Sequence, residues 1–301
     1  MANRWWIYQK ERFPLLAHGP LILAFSFSAV SYSALLRGSE AWPALGAVVV
    51  AFVCCLISFL HLRIADEFKD IEEDTRYRPY RPVPRGLVSL RELGWVWVAT
   101  GAVQLLLAAW LDLRLVGVLL ITWVYLALMS REFFVREWIT ARPFTYLWTH
   151  MLIMPLIDLF ATAADWMPTE GAPPPGIVLF VIVSFFNGIV IEIGRKIRAP
   201  ENEETGVPTY SAQWGRPGAV AAWLTALLLT LATGLGAAAL IDFLWPALII
   251  WGGLFLLGLF WAQSFLRHPT PARGHRLETF SGIWTLGLYL TLGVLPRIPL
   301  S

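Results

Sequence analysis

The chain has 301 residues, of which 57% are hydrophobic and only 15% charged, with a mean hydropathy of +0.61. A soluble domain carries roughly 25% charged residues, so that class is excluded and a polytopic helical membrane protein is indicated. Lysine plus arginine (23) nearly balances aspartate plus glutamate (21), which gives no case for a nucleic-acid partner.

Apolar runs of about 20 residues mark membrane spans. They fall near 14–36, 42–62, 93–111, 113–129, 143–163, 176–197, 218–240, 243–266 and 277–297. The expected fold is all-α: nine transmembrane helices in one membrane-embedded domain, 1–301. Ahead of the first span, Trp5, Trp6 and Tyr8 suit an interfacial anchor. That run is long enough to be a span, and no cleavable signal peptide precedes it. Cys54 and Cys55, adjacent in the second span, point in different directions on a helix and read as packing thiols.

Loop charge tests the span count. With the N-terminus inside, 20 of the 23 basic residues fall in cytoplasmic segments, and only Arg37, Arg114 and Arg297 lie outside. This is the cytoplasmic excess that membrane insertion favours. The expected topology is N-terminus cytoplasmic, C-terminus outside, with two long polar loops forming a cytoplasmic cap.

The first loop, after the second span, runs from Arg63 to Gly86. Asp66, Asp70 and Asp74 recur every four residues, which on a helix places them along one face about 6 Å apart. Three aligned carboxylates need a cation among them. Mg²⁺, a hard ion that takes oxygen ligands and substrate phosphates, suits them. Arg78, Arg81 and Arg85 follow, and guanidinium forks bind phosphate oxygens. The second loop, after the sixth span, carries Asn187, Glu192, Arg195, Lys196, Arg198, Glu201, Asn202, Glu203, Glu204, Gly206 and Thr209. The two loops lie four spans apart, which suggests an internal pseudo-repeat with halves at about 1–140 and 141–301 whose loops meet over one site.

These motifs resemble the UbiA superfamily of intramembrane prenyltransferases. That family has nine spans around a central cavity, an Asn/Asp-x-x-x-Asp-x-x-x-Asp motif after the second span, and an Arg-Pro-x-Pro-x-Gly turn. Asp66, Asp70 and Asp74 match the first motif, and Arg81-Pro82-Val83-Pro84-Arg85-Gly86 matches the turn. The second motif departs: Gly206 and Thr209 fit its tail, but the expected aspartate pair is missing. Glu192 with Glu201 or Glu203 stands in as the metal-binding counterpart, or else Arg195, Lys196 and Arg198 contact diphosphate there. Arg131, after the fourth span, lies where the family keeps a basic diphosphate contact.

The resemblance implies a Mg²⁺-dependent enzyme, opening to the cytoplasm, that ionises an isoprenyl diphosphate drawn from among membrane lipids. The implied metal ligands are Asp66, Asp70, Asp74, Glu192, Glu201 and Glu203. The implied diphosphate contacts are Arg78, Arg81, Arg85, Arg131, Lys196 and Arg198. Prenyl transfer to an acceptor such as an aromatic ring or quinone precursor is the leading reaction. Cyclisation of the prenyl diphosphate, as in UbiA-type terpene cyclases, is the alternative. A transporter would favour ionisable residues near mid-membrane, whereas these charges cluster at one face, and the Asp-Gly…Ala-Arg pattern of CDP-alcohol phosphotransferases is missing. Among the remaining polar groups, Asn187 and His150 are candidates for the cavity wall or for packing, and Asp158 is expected near the outer interface, where it is cheaply solvated.

Overall fold

A computed structural model describes residues 3–298. In chain order the α-helices are α1 (Arg4–Arg12), α2 (Leu15–Leu36), α3 (Leu45–Lys69), α4 (Ile71–Tyr77), α5 (Leu90–Leu111), α6 (Leu113–Ser130), α7 (Arg136–Thr140), α8 (Pro143–Met151), α9 (Ile153–Thr169), α10 (Ile177–Arg195), α11 (Tyr210–Ala239), α12 (Leu244–Arg267) and α13 (Pro271–Gly293). Among the described residues nine helical segments are long and apolar enough to cross a membrane, with α8 and α9 together forming the fifth. All nine expected spans are present. Backbone groups in hydrocarbon must be satisfied within the segment, and helices do this.

The fifth span is longer than expected and broken. It runs Pro143–Thr169, with the break at Leu152 between α8 and α9. Pro155 has no N–H to give to the carbonyl of Met151, and its ring crowds that carbonyl, so the helix restarts. The greater length also places Asp158 in mid-span. It is wholly buried in the bundle, not near an interface.

Lipid offers no hydrophobic gain for packing helices together, so close approach through small residues does the work. On α2, Ser26, Ser28, Ala29, Ser31, Ser33 and Ala34 are all buried. At Gly293 of α13, a Cβ would fall 2.3 Å from the Cα of Ser28, so the two backbones nearly touch. At Gly194, near the end of α10, a Cβ would lie 2.0 Å from Ser281 Oγ, which accepts a 2.9 Å hydrogen bond from Trp223 Nε1. Gly194→Ala is therefore expected to force α10 and α13 apart at the level of the site. It should cost about 3 kcal/mol, the upper end for overpacking a core, read as a lower unfolding temperature of the detergent-solubilised protein. Outward faces stay apolar for lipid, as with Trp95, Leu106 and Trp110 on α5 and Ile249, Leu256 and Phe260 on α12.

The loops after α3, α6 and α10 lie at one end of the bundle, called here the basic face.

Candidate active site

The first loop begins where α3 ends. Asp70 sits at φ −97°, ψ 7°, and the chain bends there before α4. The single straight face expected for the three aspartates is therefore bent at its middle member. The backbone bonds still run on, from Asp70 N–H to Asp66 O at 2.9 Å and from Asp74 N–H to Asp70 O at 2.8 Å, so the four-residue register survives.

The three carboxylates have different surroundings. Asp66 is the open one, with its side chain 45% exposed and 3.3 Å from Arg63 Nη1. Asp74 is buried and held by Arg78 at 3.2 Å and Arg81 at 2.5 Å. Asp70 has no ion-pair partner among the described residues. Burial, then the charge of Asp66, push its carboxyl up to about 6; Asp74 and Glu73 add to this, and Lys69 offsets part of it. A half-buried carboxylate crowded by three others, with no ion-pair partner among the described residues, has the electrostatics of a cation ligand. Asp66 and Asp70, two accessible hard oxygen donors, fit Mg²⁺, which is held by one or two carboxylates plus phosphate and water. No group of three or more His, Cys, Asp or Glu among the described residues is close enough to form an all-protein metal cage.

The second loop reaches the site through α10. Glu192 lies 2.6 Å from Arg195 Nη2 and 2.7 Å from Lys196 Nζ, so two cations already neutralise it. Arg195 in turn lies within range of the Asp66 charge, which couples the two loops. The loops also touch directly: Gly206, at φ +77°, backs onto the Tyr77 ring at the end of α4.

Other candidates lie apart. Glu203 accepts from Thr209 Oγ1 at 2.7 Å, and Thr209 caps α11 by accepting from Ala212 N–H. Arg198 pairs with Glu204 at 3.2 Å. Glu201 and Arg198 line a groove of about 860 Å³ between this loop and the start of α13. Arg85 pairs with Glu11 at 2.9 Å and donates to Tyr80 O, and Arg131 is exposed.

Several groups at the site carry no signal in the sequence. Arg63 is held by Asp66. Tyr146, on α8, accepts from Lys69 Nζ at 2.6 Å and lies within range of the Asp70 charge. Tyr210, at the start of α11, is near Glu192 and Tyr146, with Lys196 Nζ 5.5 Å from its ring centre. Glu132 follows α6, buried between Lys69 at 2.7 Å and His150 at 3.1 Å. His150 is thus a partner of Glu132 and packs on Tyr146, with ring centres 3.8 Å apart.

Glu132 supplies a pH prediction. Burial alone would push its carboxyl up, but the hydrogen bonds and charges of His150 and Lys69 outweigh it and hold it down at about 2. A depressed carboxyl contributes stability above its unfolded value of roughly 4.3 and loses it as pH falls toward the folded value. Between pH 5 and pH 3, the unfolding temperature of the wild-type protein is therefore expected to fall more steeply than that of Glu132→Gln.

Deeper in the bundle lies a second polar cluster. Asp158 on α9 is near Ser184 on α10 and Tyr289 on α13, and among the described residues neither of its oxygens has a hydrogen-bond partner of good geometry. Tyr289 Oη donates to Ser184 Oγ at 3.3 Å, and Thr285 Oγ1 to Asn187 Oδ1 at 3.0 Å. Aromatic rings wall this cluster: Phe25 and Phe180 lie 5.0 and 5.9 Å from Tyr289, and Tyr32 stacks on Phe180 at 4.6 Å.

The UbiA prenyltransferase family profile matches residues 21–285. Among solved structures, a UbiA homologue from Aeropyrum pernix K1 in its apo form aligns with a TM-score of 0.67 at 15% identity, over 90% of this chain and 96% of that one. A structure concerning digeranylgeranylglyceryl phosphate synthase in membranes aligns with a TM-score of 0.61 at 14% identity, over 98% and 99% of the two chains. At these identities the likeness is one of fold. Comparison with curated protein sequences finds no match.

Proposed function

The chain belongs to the UbiA prenyltransferase family of intramembrane enzymes, and from that premise we propose that it ionises an isoprenyl diphosphate at the basic face and transfers the prenyl group to a small acceptor, with Mg²⁺ as its cofactor. The observation that carries the reading is the Asp70 carboxylate, without an ion-pair partner among the described residues, beside Asp66, whose charge reaches Arg195, one of the two cations that Glu192 holds. We place this face in the cytoplasm, because 20 of the 23 basic residues belong to its side.

Asp66 and Asp70 are the residues that would hold Mg²⁺, which when bound supplies positive charge to the departing diphosphate. Arg195 and Lys196 face the same region, fixed by Glu192 at 2.6 and 2.7 Å. Cations fixed before reaction need little reorganisation as negative charge develops on the leaving group. Glu192 thus orients diphosphate contacts. Asp74 does the same for Arg78 and Arg81, whose remaining N–H groups extend the phosphate-binding surface. Tyr146 and Tyr210 stand between the halves, where their rings exclude water from the reacting carbon.

A second reading, cyclisation, is favoured by the cluster around Asp158. On α10, Ser184 is eight residues below Glu192, or about 12 Å at the helical rise, at the depth of the isoprenoid chain. Simple transfer asks for no carboxyl there. A cyclase uses aromatic faces to hold the migrating cation and a polar group to take the final proton. Purified protein given Mg²⁺ and C10, C15 or C20 diphosphates without acceptor separates the two. Transfer predicts no consumption until an aromatic acceptor is added, and cyclic products in its absence would overturn it in favour of cyclisation.

A further inference from the structure

Glu132, Phe133 and Phe134 follow one another at φ 49°, 53° and 61°. None is glycine, and three consecutive side chains in the left-handed region make a strained turn that persists only where surrounding contacts over-determine it. Phe133 supplies part of the anchor, with its ring 5.7 Å from Tyr125 and 6.1 Å from His150, both in edge-on contact. The turn delivers Glu132, a carboxylate only 3% exposed, to a position 2.7 Å from Lys69 Nζ.

Lys69 immediately precedes Asp70. Its ammonium rides on a flexible four-carbon stem, and its charge already acts on Asp70. Asp70 is the adjacent carboxylate without a partner. If the ammonium paired with it, the carboxylate would be lost to any other cation. In the structure the ammonium is turned away, bonded to Glu132 and donating to Tyr146 Oη at 2.6 Å. His150 Nε2 lies 3.1 Å from the second Glu132 oxygen, on the other side of the carboxylate.

We propose that Glu132 is a positioning residue that draws the Lys69 ammonium off Asp70 and so keeps the Asp66–Asp70 pair open to a divalent cation. This rests on the metal reading above. A structural ion pair alone would cost stability when broken and leave cation affinity unchanged. A diverting one makes the affinity depend on Glu132 only while Lys69 is present.

The test is Mn²⁺ binding to the detergent-purified full chain without substrate, followed by electron paramagnetic resonance, with thermal unfolding to show that each variant is folded. Glu132→Gln is expected to weaken binding roughly tenfold or more, since one unit charge released to about 4 Å acts on this scale. Glu132→Gln combined with Lys69→Met is expected to restore wild-type affinity, because no ammonium is left to compete. If Glu132→Gln does not fold, Glu132→Asp, which keeps the charge but withdraws it by one methylene, is expected to weaken binding in the same direction and to be rescued by Lys69→Met. A folded Glu132 variant with wild-type affinity overturns the proposal, and so does a double variant as weak as the single. Wild-type binding that Asp70→Asn removes but Glu132→Gln leaves intact overturns the positioning role alone. Wild-type protein that takes up no Mn²⁺ overturns the metal reading, and this role with it.

Discussion

Asp70→Asn is expected to lower diphosphate release by about 10²–10³-fold, the loss typical of removing one preorganised electrostatic contact to developing charge, while leaving the fold intact. The substitution keeps the shape and removes the charge. Because burial and Asp66, Asp74 and Glu73 all disfavour that charge in the free protein, its removal relieves repulsion, and the unfolding temperature is expected to hold or rise. Asp74→Asn contrasts with it. Asp74 is buried and paired with Arg78 and Arg81, so its loss leaves two guanidinium groups half-buried without their counter-charge and is expected to cost stability as well as activity. Diphosphate release and unfolding temperature, measured on both variants, check the pair. Near-normal turnover in Asp70→Asn would sink the assignment of the site.

The spans were legible because the bilayer imposes length and apolarity on each, and the loop charges then fixed their grouping. The first motif was legible for a similar reason: a four-residue recurrence of aspartates is a simple pattern. What it did not carry was the difference between its members. Asp74 is clamped by arginines four and seven residues on, Asp66 is open and Asp70 is isolated, and that division depends on the bend at Asp70 and on packing from distant helices. The break in the fifth span was in principle readable from Pro155, which sits inside an otherwise continuous apolar run. Tyr146, Tyr210 and Glu132 were not readable. A tyrosine at a helix start or a lone glutamate in a loop has no spacing to mark it. The left-handed turn that brings Glu132 inward contains none of the glycines that usually announce such backbone. Glu192 stood out as the counterpart of the missing aspartate pair, but its partners, Arg195 and Lys196, are close in sequence, and only the three-dimensional arrangement gives it an orienting role.

The second large effect is expected at Gly206, whose substitution by alanine should lower kcat/KM about 10²-fold with only a modest loss of unfolding temperature. The segment between Lys196 and Tyr210 is a closed loop: Tyr210 N–H donates to Lys196 O at 3.2 Å, and Thr209 caps α11 beside it. Gly206 is at its tip, at φ +77°, and a Cβ there would lie 2.7 Å from Tyr77 Cγ. Alanine therefore meets two costs. The left-handed backbone is worth roughly 1–2 kcal/mol against a side chain, and the Tyr77 ring must move. Neither is in the core, so the fold survives. The loop nonetheless carries Lys196 at one end and presses the first-motif helix α4 at its tip, so it shifts one half of the site against the other. A displacement of about 1 Å at a reacting centre costs on the order of 10²-fold. Tyr77→Ala opens the space the methyl group needs but leaves the backbone cost in place. The double variant is accordingly expected to recover part of the activity, more than the two single effects predict when added. Additive losses would mean that the loops do not act on each other through this contact, and wild-type activity in Gly206→Ala would mean that their docking does not set the geometry of the site.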